Sequence, residues 1–100
     1  MKQVTQIPKE GLLSYLKEIL LPYDLSGDTR SRLISSARHL VAFMEKRHLD
    51  FYNEDVGNFF TSTITLEKGV GARHYQRDCR MVKLLNSSMK GEVSSLLSLR

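Results

Sequence analysis

Arginines at positions 73, 77 and 80 stand four and three residues apart, with Gln76 among them and Lys83 just beyond. On a helix turning ~100° per residue this spacing gathers Arg73, Arg77 and Arg80 into one stripe, with Gln76 and Lys83 beside it. A guanidinium can grip a phosphate, or bond the edge of guanine through two parallel N–H groups. A glutamine amide can do the same at adenine. Such a face suits the major groove of a duplex. It also suits an ordinary solvated helix, because arginine is a good helix former. Asp78 is the one acid near enough in sequence to neutralise the stripe.

A second line begins at Arg30 and continues through Ser31, Ser35 and Arg38. Small serines let a helix approach a sugar–phosphate backbone closely, and their hydroxyls can bond phosphate oxygens. The plainer alternative is a small polar face turned to solvent. His39 reads as a boundary residue, and His74 as either a phosphate contact or an exposed side chain. No other constellation of side chains offers coherent chemistry. Gly69-Val70-Gly71 lacks the remaining glycine and the preceding strand of a phosphate loop. The serines have no nucleophile-elbow context. Cys79 is expected on the core side of its helix as a buried thiol, and the four tyrosines as core or boundary aromatics. Glu54 and Asp55 fit capping of a helix start better than acid–base work. His39, His48 and His74 show no ligand spacing, so neither a metal nor another cofactor is expected.

Four helices are expected to position these residues. The first runs from about Lys9 to Leu20, with Pro8 suited to a first helical position and Leu21-Pro22 as its stop. Its apolar face is Leu12, Leu13, Leu16, Ile19 and Leu20. The second, about Thr29 to Arg47, takes Asp28 as its N-cap and turns Leu33, Ala37, Leu40, Val41 and Met44 inward. The third is short, about Glu54 to Ser62, capped by Asn53 and buried through Val56, Phe59 and Phe60. The β-branched stretch Thr63 to Gly71 breaks the helical pattern and, with no partner strand in view, reads as a loop. The fourth runs from about Ala72 to Ser88, with Tyr75, Cys79, Val82, Leu85 and Met89 on its inner side and Gly91 as its stop. No seven-residue seam repeats, which favours globular packing over a parallel coiled coil.

The 100 residues amount to one domain, with 41% hydrophobic and 26% charged residues. Residues 1–91 form the expected helical domain, and 92–100 a tail or the start of a linker. No run approaches the ~20 apolar residues of a membrane span, and the amino end lacks the apolar core of a signal peptide. A single cysteine fits a reducing cytoplasm. The formal net charge of +4 is concentrated. Residues 29–48 carry five Lys or Arg against Glu45, residues 71–90 carry five against Asp78, and the rest of the chain is net acidic. Concentrated basic charge favours a polyanionic partner, although on charge alone two solvated helix faces are the simpler account.

Three segments together resemble one known family. Asp24 to Leu33, continuing through Ala37-Arg-His-Leu40 to Phe43-Met, is similar to the helix that opens the core-binding domain of tyrosine recombinases, the phage integrase family. Phe51 to Phe60 resembles that family's short third helix, and Arg73 to Leu85 its arginine-bearing final helix. The likeness spans roughly residues 9–91 and rests on order, spacing and hydrophobic register. It implies an all-α, compact four-helix orthogonal bundle of the SAM-like type. It also implies one half of a clamp around double-stranded DNA, serving integration and recombination in a bacterial or phage-derived cytoplasm. Carried over residue by residue, the contacts are Arg30, Ser31, Ser35 and Arg38, with Arg73, Gln76, Arg77, Arg80 and Lys83.

The family cuts DNA with a tyrosine assisted by a His-x-x-Arg motif in a separate, larger catalytic domain. Here His74-Tyr-Gln-Arg77 has the letters but lies in the helix expected to face DNA, so no strand cleavage by this polypeptide is expected. Other recombinase protomers join duplex DNA as expected partners; a membrane and a small-molecule substrate do not. The alternative reading is a helical protein–protein interaction module that self-associates, as SAM-like folds often do.

Overall fold

The computed structural model describes residues 5–68 and 73–91, the side chains at 68 and 73–75 excepted. Its elements are β1 (Ile7–Pro8), a 3-10 turn (Lys9–Gly11), α1 (Leu12–Leu20), α2 (Gly27–Lys46), β2 (Phe51–Tyr52), α3 (Glu54–Lys68) and α4 (Arg73–Met89). Helices dominate, as the apolar periodicity requires. α4 packs against both α2 and α3, and α1 packs against α2. The radius of gyration, 12.9 Å, is that of a folded chain of this length.

Leucines at every fourth position give α1 its inner stripe: Leu12, Leu16 and Leu20 are fully buried, while Leu13 and Ile19 are partly so. Pro8 stands just ahead of the 3-10 turn instead of inside a helix, and pairs with Phe51 in a short antiparallel ladder. This pairing of β1 with β2 is absent from the sequence reading. Lys9 N–H to the Asp50 carbonyl (2.9 Å) extends it, tying the amino end to the α2–α3 connection.

α2 begins two residues earlier than expected. Ser26, with extended backbone, accepts from the Thr29 N–H at 3.1 Å and is the N-cap. Asp28 instead lies in the first turn, where it pairs with Arg32 at 2.9 Å. The other end closes on a left-handed residue. His48 has φ 59°, its N–H bonds the Glu45 carbonyl, and the Leu49 N–H bonds the Met44 carbonyl. This is the Schellman arrangement, here built without glycine.

α3 overturns the expected loop at 63–68. Asn53 caps it as expected, accepting from the Val56 N–H at 2.9 Å. The helix then continues to Lys68. Thr63 donates to the Phe59 carbonyl and Thr65 to the Thr61 carbonyl, so hydroxyls that favour other conformations are absorbed by the preceding turn. Phe59, expected inside, is half exposed, and Phe60 and Ile64 take the buried positions. Residues 69–72 and the tail 92–100 lie outside the described residues. Gly91 follows α4 with φ 79°, a left-handed residue beyond the helix end.

Packing around Tyr52, in β2, is close. Tyr52 is fully buried and donates to Asn86 Oδ1 on α4 at 2.7 Å. Its hydroxyl occupies the space a Cβ on Gly57 would need, with Val82 beside it, so α3 can pass this close only with glycine there. Burial, and then the Glu54 carboxylate, push the Tyr52 phenol above its ordinary range. Tyr15 and Ser88 share a second hydrogen bond, 2.9 Å, between α1 and α4.

Candidate nucleic-acid interface

α4 is amphipathic, and its inner side decides which residues reach solvent. Met81, Val82, Leu84, Leu85 and Met89 are buried against the other helices. Gln76, Arg80 and Lys83 are consequently exposed, and Arg77 stands half-buried at the margin. Cys79, expected in the core, is only half-buried, because the inner face centres on Met81 and Leu85. The side chains of Arg73, His74 and Tyr75 lie outside the described residues.

Across from this face stands the first half of α2. Its opening turn and α4 enclose an open groove lined by Thr29, Arg32, Leu33, Gln76, Arg77 and Arg80. Three arginines from two helices thus line one groove, together with Leu33, which is buried. The N-terminal turn of α2 adds the partial positive charge of its N–H groups, offset by the Ser26 cap on the Thr29 N–H and by the Asp28 carboxylate that pairs with Arg32. Among the described residues the ion pairs are Asp28–Arg32 and Glu54–Lys90; neither involves Arg77, Arg80 or Lys83. Asp78 is 3% exposed on the inner side of α4 and pairs with neither Arg77 nor Arg80, so the acid closest in sequence leaves these two cations uncompensated.

The groove brings together Gln76, Arg77 and Arg80 from the expected site. It does not include Lys83, nor the expected line on α2. Ser31, Ser35 and Arg38 are exposed and Arg30 is half-buried, but none of them lines it. At ~100° per residue Arg30 stands roughly 160° round the helix from Arg32, and Arg38 roughly 120°. The α2 residues at the groove are Thr29 and Arg32, which sequence reasoning left off the site. Arg32 was visible as charge. Its inclusion depends on how α2 leans on α4, which no spacing within α2 encodes.

The site can hold anions. Arg77 and Arg80 offer forked N–H donors, Gln76 an amide and Thr29 a hydroxyl, all suited to phosphate oxygens or base edges. No family model matches this chain, and neither a curated protein nor a solved structure does.

Proposed function

We propose that this domain binds duplex DNA, chiefly through phosphates, as the core-binding half of a tyrosine recombinase clamp. The observation that carries the reading is the groove where Arg32, Arg77 and Arg80 converge from two helices, with no acid paired to Arg77 or Arg80. Uncompensated cations on a shared concave surface attract a polyanion, and each phosphate neutralised releases counterions. Lys83, exposed one turn beyond Arg80 on α4, extends the positive surface for flanking phosphates. The SAM-like core-binding relationship and a bacterial or phage cytoplasm belong to the same proposal, which assigns no cleavage chemistry to the chain.

A salt titration of binding to a short duplex tests it. About four phosphate contacts give a log–log slope near −4. Arg77→Ala or Arg80→Ala weakens binding and flattens that slope by about one unit. A slope that neither substitution changes rejects the groove as the contact surface.

A second reading has its own support. Phe59 and Leu66, seven residues apart on α3, are 49% and 88% exposed. An apolar stripe of this kind suits self-association of the helical domain. Sedimentation showing a concentration-dependent mass lost in Leu66→Lys, with no duplex binding, favours that reading over DNA.

A further inference from the structure

A second groove lies along the same helix, between the later half of α2 and the carboxyl-terminal half of α3. Its walls are Phe43, Phe60 and Ile64, all buried. Lys46, Arg47 and Glu67 stand exposed at its rim. The innermost member is Asp78 of α4, 3% exposed. That carboxylate makes no hydrogen bond or ion pair among the described residues; neither Lys46 nor Arg47 pairs with it, although both line the same groove. Helical repeat puts Asp78 on the face of Met81, Val82 and Leu85, three, four and seven residues on, but does not explain a carboxylate there without a partner. An acid beside five buried apolar residues of its own helix is the least expected occupant of that face, and a carboxylate that reaches solvent only through this groove gains from a cation that meets it there.

We propose that this groove receives the arginine side chain of a partner protein, with Asp78 as its counter-ion. The charge of the floor selects a cation. No trio of His, Cys, Asp or Glu among the described residues is placed to hold a metal ion, which favours an organic one. The walls select guanidinium over ammonium, because the planar group is weakly hydrated, stacks on aromatic faces and meets a carboxylate through two N–H bonds. The same aromatic cluster already carries one guanidinium on its outer side. Arg47 sits 4.3 Å from the Phe43 ring centre and 5.3 Å from that of Phe59, with Phe43 held edge-on to Phe59 and Phe60. An incoming arginine extends that stack inward to the carboxylate Arg47 does not reach. The inference is independent of the duplex reading: it uses the opposite half of α2 and an acid in place of the basic groove.

The test uses the full chain and two small probes, N-acetyl-arginine methylamide and its neutral isostere N-acetyl-citrulline methylamide, followed by NMR. The arginine probe is expected to shift the signals of Phe43, Phe60 and Ile64 saturably, and the citrulline probe to leave them in place. In Asp78→Asn the arginine affinity falls about tenfold or more, the loss of one charge-assisted pair. Arg80→Ala, in the other groove, leaves it unchanged. Equal shifts from both probes, an affinity unaltered in Asp78→Asn, or no saturable shift at these three residues overturns the proposal. The citrulline comparison on the wild-type chain decides the matter even if Asp78→Asn fails to fold.

Discussion

The Tyr52 end of the molecule and the arginine groove treat their polar groups in opposite ways. At the Tyr52 end the buried and bordering polar groups have internal partners: the phenol bonds Asn86, Asn53 caps α3, and at the surface Lys90 meets Glu54 at 3.3 Å. Around the ring the space is taken, with the Tyr52 hydroxyl filling the notch at Gly57, and the open groove at this end, lined by Asn53, Glu54, Asp55, Asn86 and Lys90, lies outside that contact and holds charges of both signs. In the groove, Arg77 and Arg80 gather beside Arg32 with no ion pair of their own. Polar groups that a protein satisfies internally serve its stability. Those it brings together and leaves open are available to a partner. The comparison predicts that substitutions at the two ends separate cleanly, one set altering stability and the other binding.

The largest effect is expected from Tyr52→Ala, which empties a fully buried aromatic site and strands Asn86. It should cost about 3–5 kcal/mol in denaturant unfolding without changing the salt slope of duplex binding in the fraction that folds. Gly57→Ala comes next. Alanine favours a helix by up to about 1 kcal/mol over glycine, but here its methyl must displace the Tyr52 hydroxyl and Val82, an overpacking cost of about 1–3 kcal/mol. Net destabilisation is expected, and a Tyr52→Phe, Gly57→Ala pair should recover part of it. Stabilisation by Gly57→Ala alone would break the account of that end.

Arg80→Ala should do the reverse, weakening duplex binding by about tenfold while leaving unfolding within about 0.5 kcal/mol of wild type. The pH dependence sharpens the contrast further. Because burial raises the Tyr52 phenol in the folded state, the unfolded chain releases this proton first, near the ordinary value of 10.0. The stabilisation is therefore complete below pH 10 and is lost as pH rises beyond it. Tyr52→Phe should remove that part of the alkaline slope, read as the difference between the two unfolding profiles. The smallest effect belongs to neither end. His48→Gly relieves the left-handed strain closing α2 and should raise stability by up to about 1 kcal/mol.

How far these regions were legible in sequence follows from the range of the interactions that make them. The four helices, the inward face Leu33, Ala37, Leu40 and Met44, the Asn53 cap and the exposed Gln76, Arg80 and Lys83 all follow from spacing within one element. Residues 63–68 did not, because β-branched threonines count against a helix unless their hydroxyls turn back to the preceding carbonyls. The β1–β2 ladder did not, because two residues a side carry no alternation. Asp78 is the one acid near the arginine stripe in sequence, yet it faces inward, on the face that Met81, Val82 and Leu85 mark three, four and seven residues on. Its neighbours in sequence are cations, whereas its neighbours in space come from α2 and α3. Arg32 joins the groove for the same kind of reason, since only the packing of α2 on α4 puts it across from Arg77 and Arg80.

The central claim is that the open arginine groove, and not the satisfied end, meets the polyanion. Amide chemical-shift mapping of the full chain during titration with a short duplex at low salt tests it most directly. The account predicts shifts concentrated at Thr29, Arg32, Gln76, Arg77 and Arg80, with Tyr52, Asn53 and Asn86 unmoved. Shifts centred on Tyr52 and Asn86, or none at all with the duplex in excess, would contradict it.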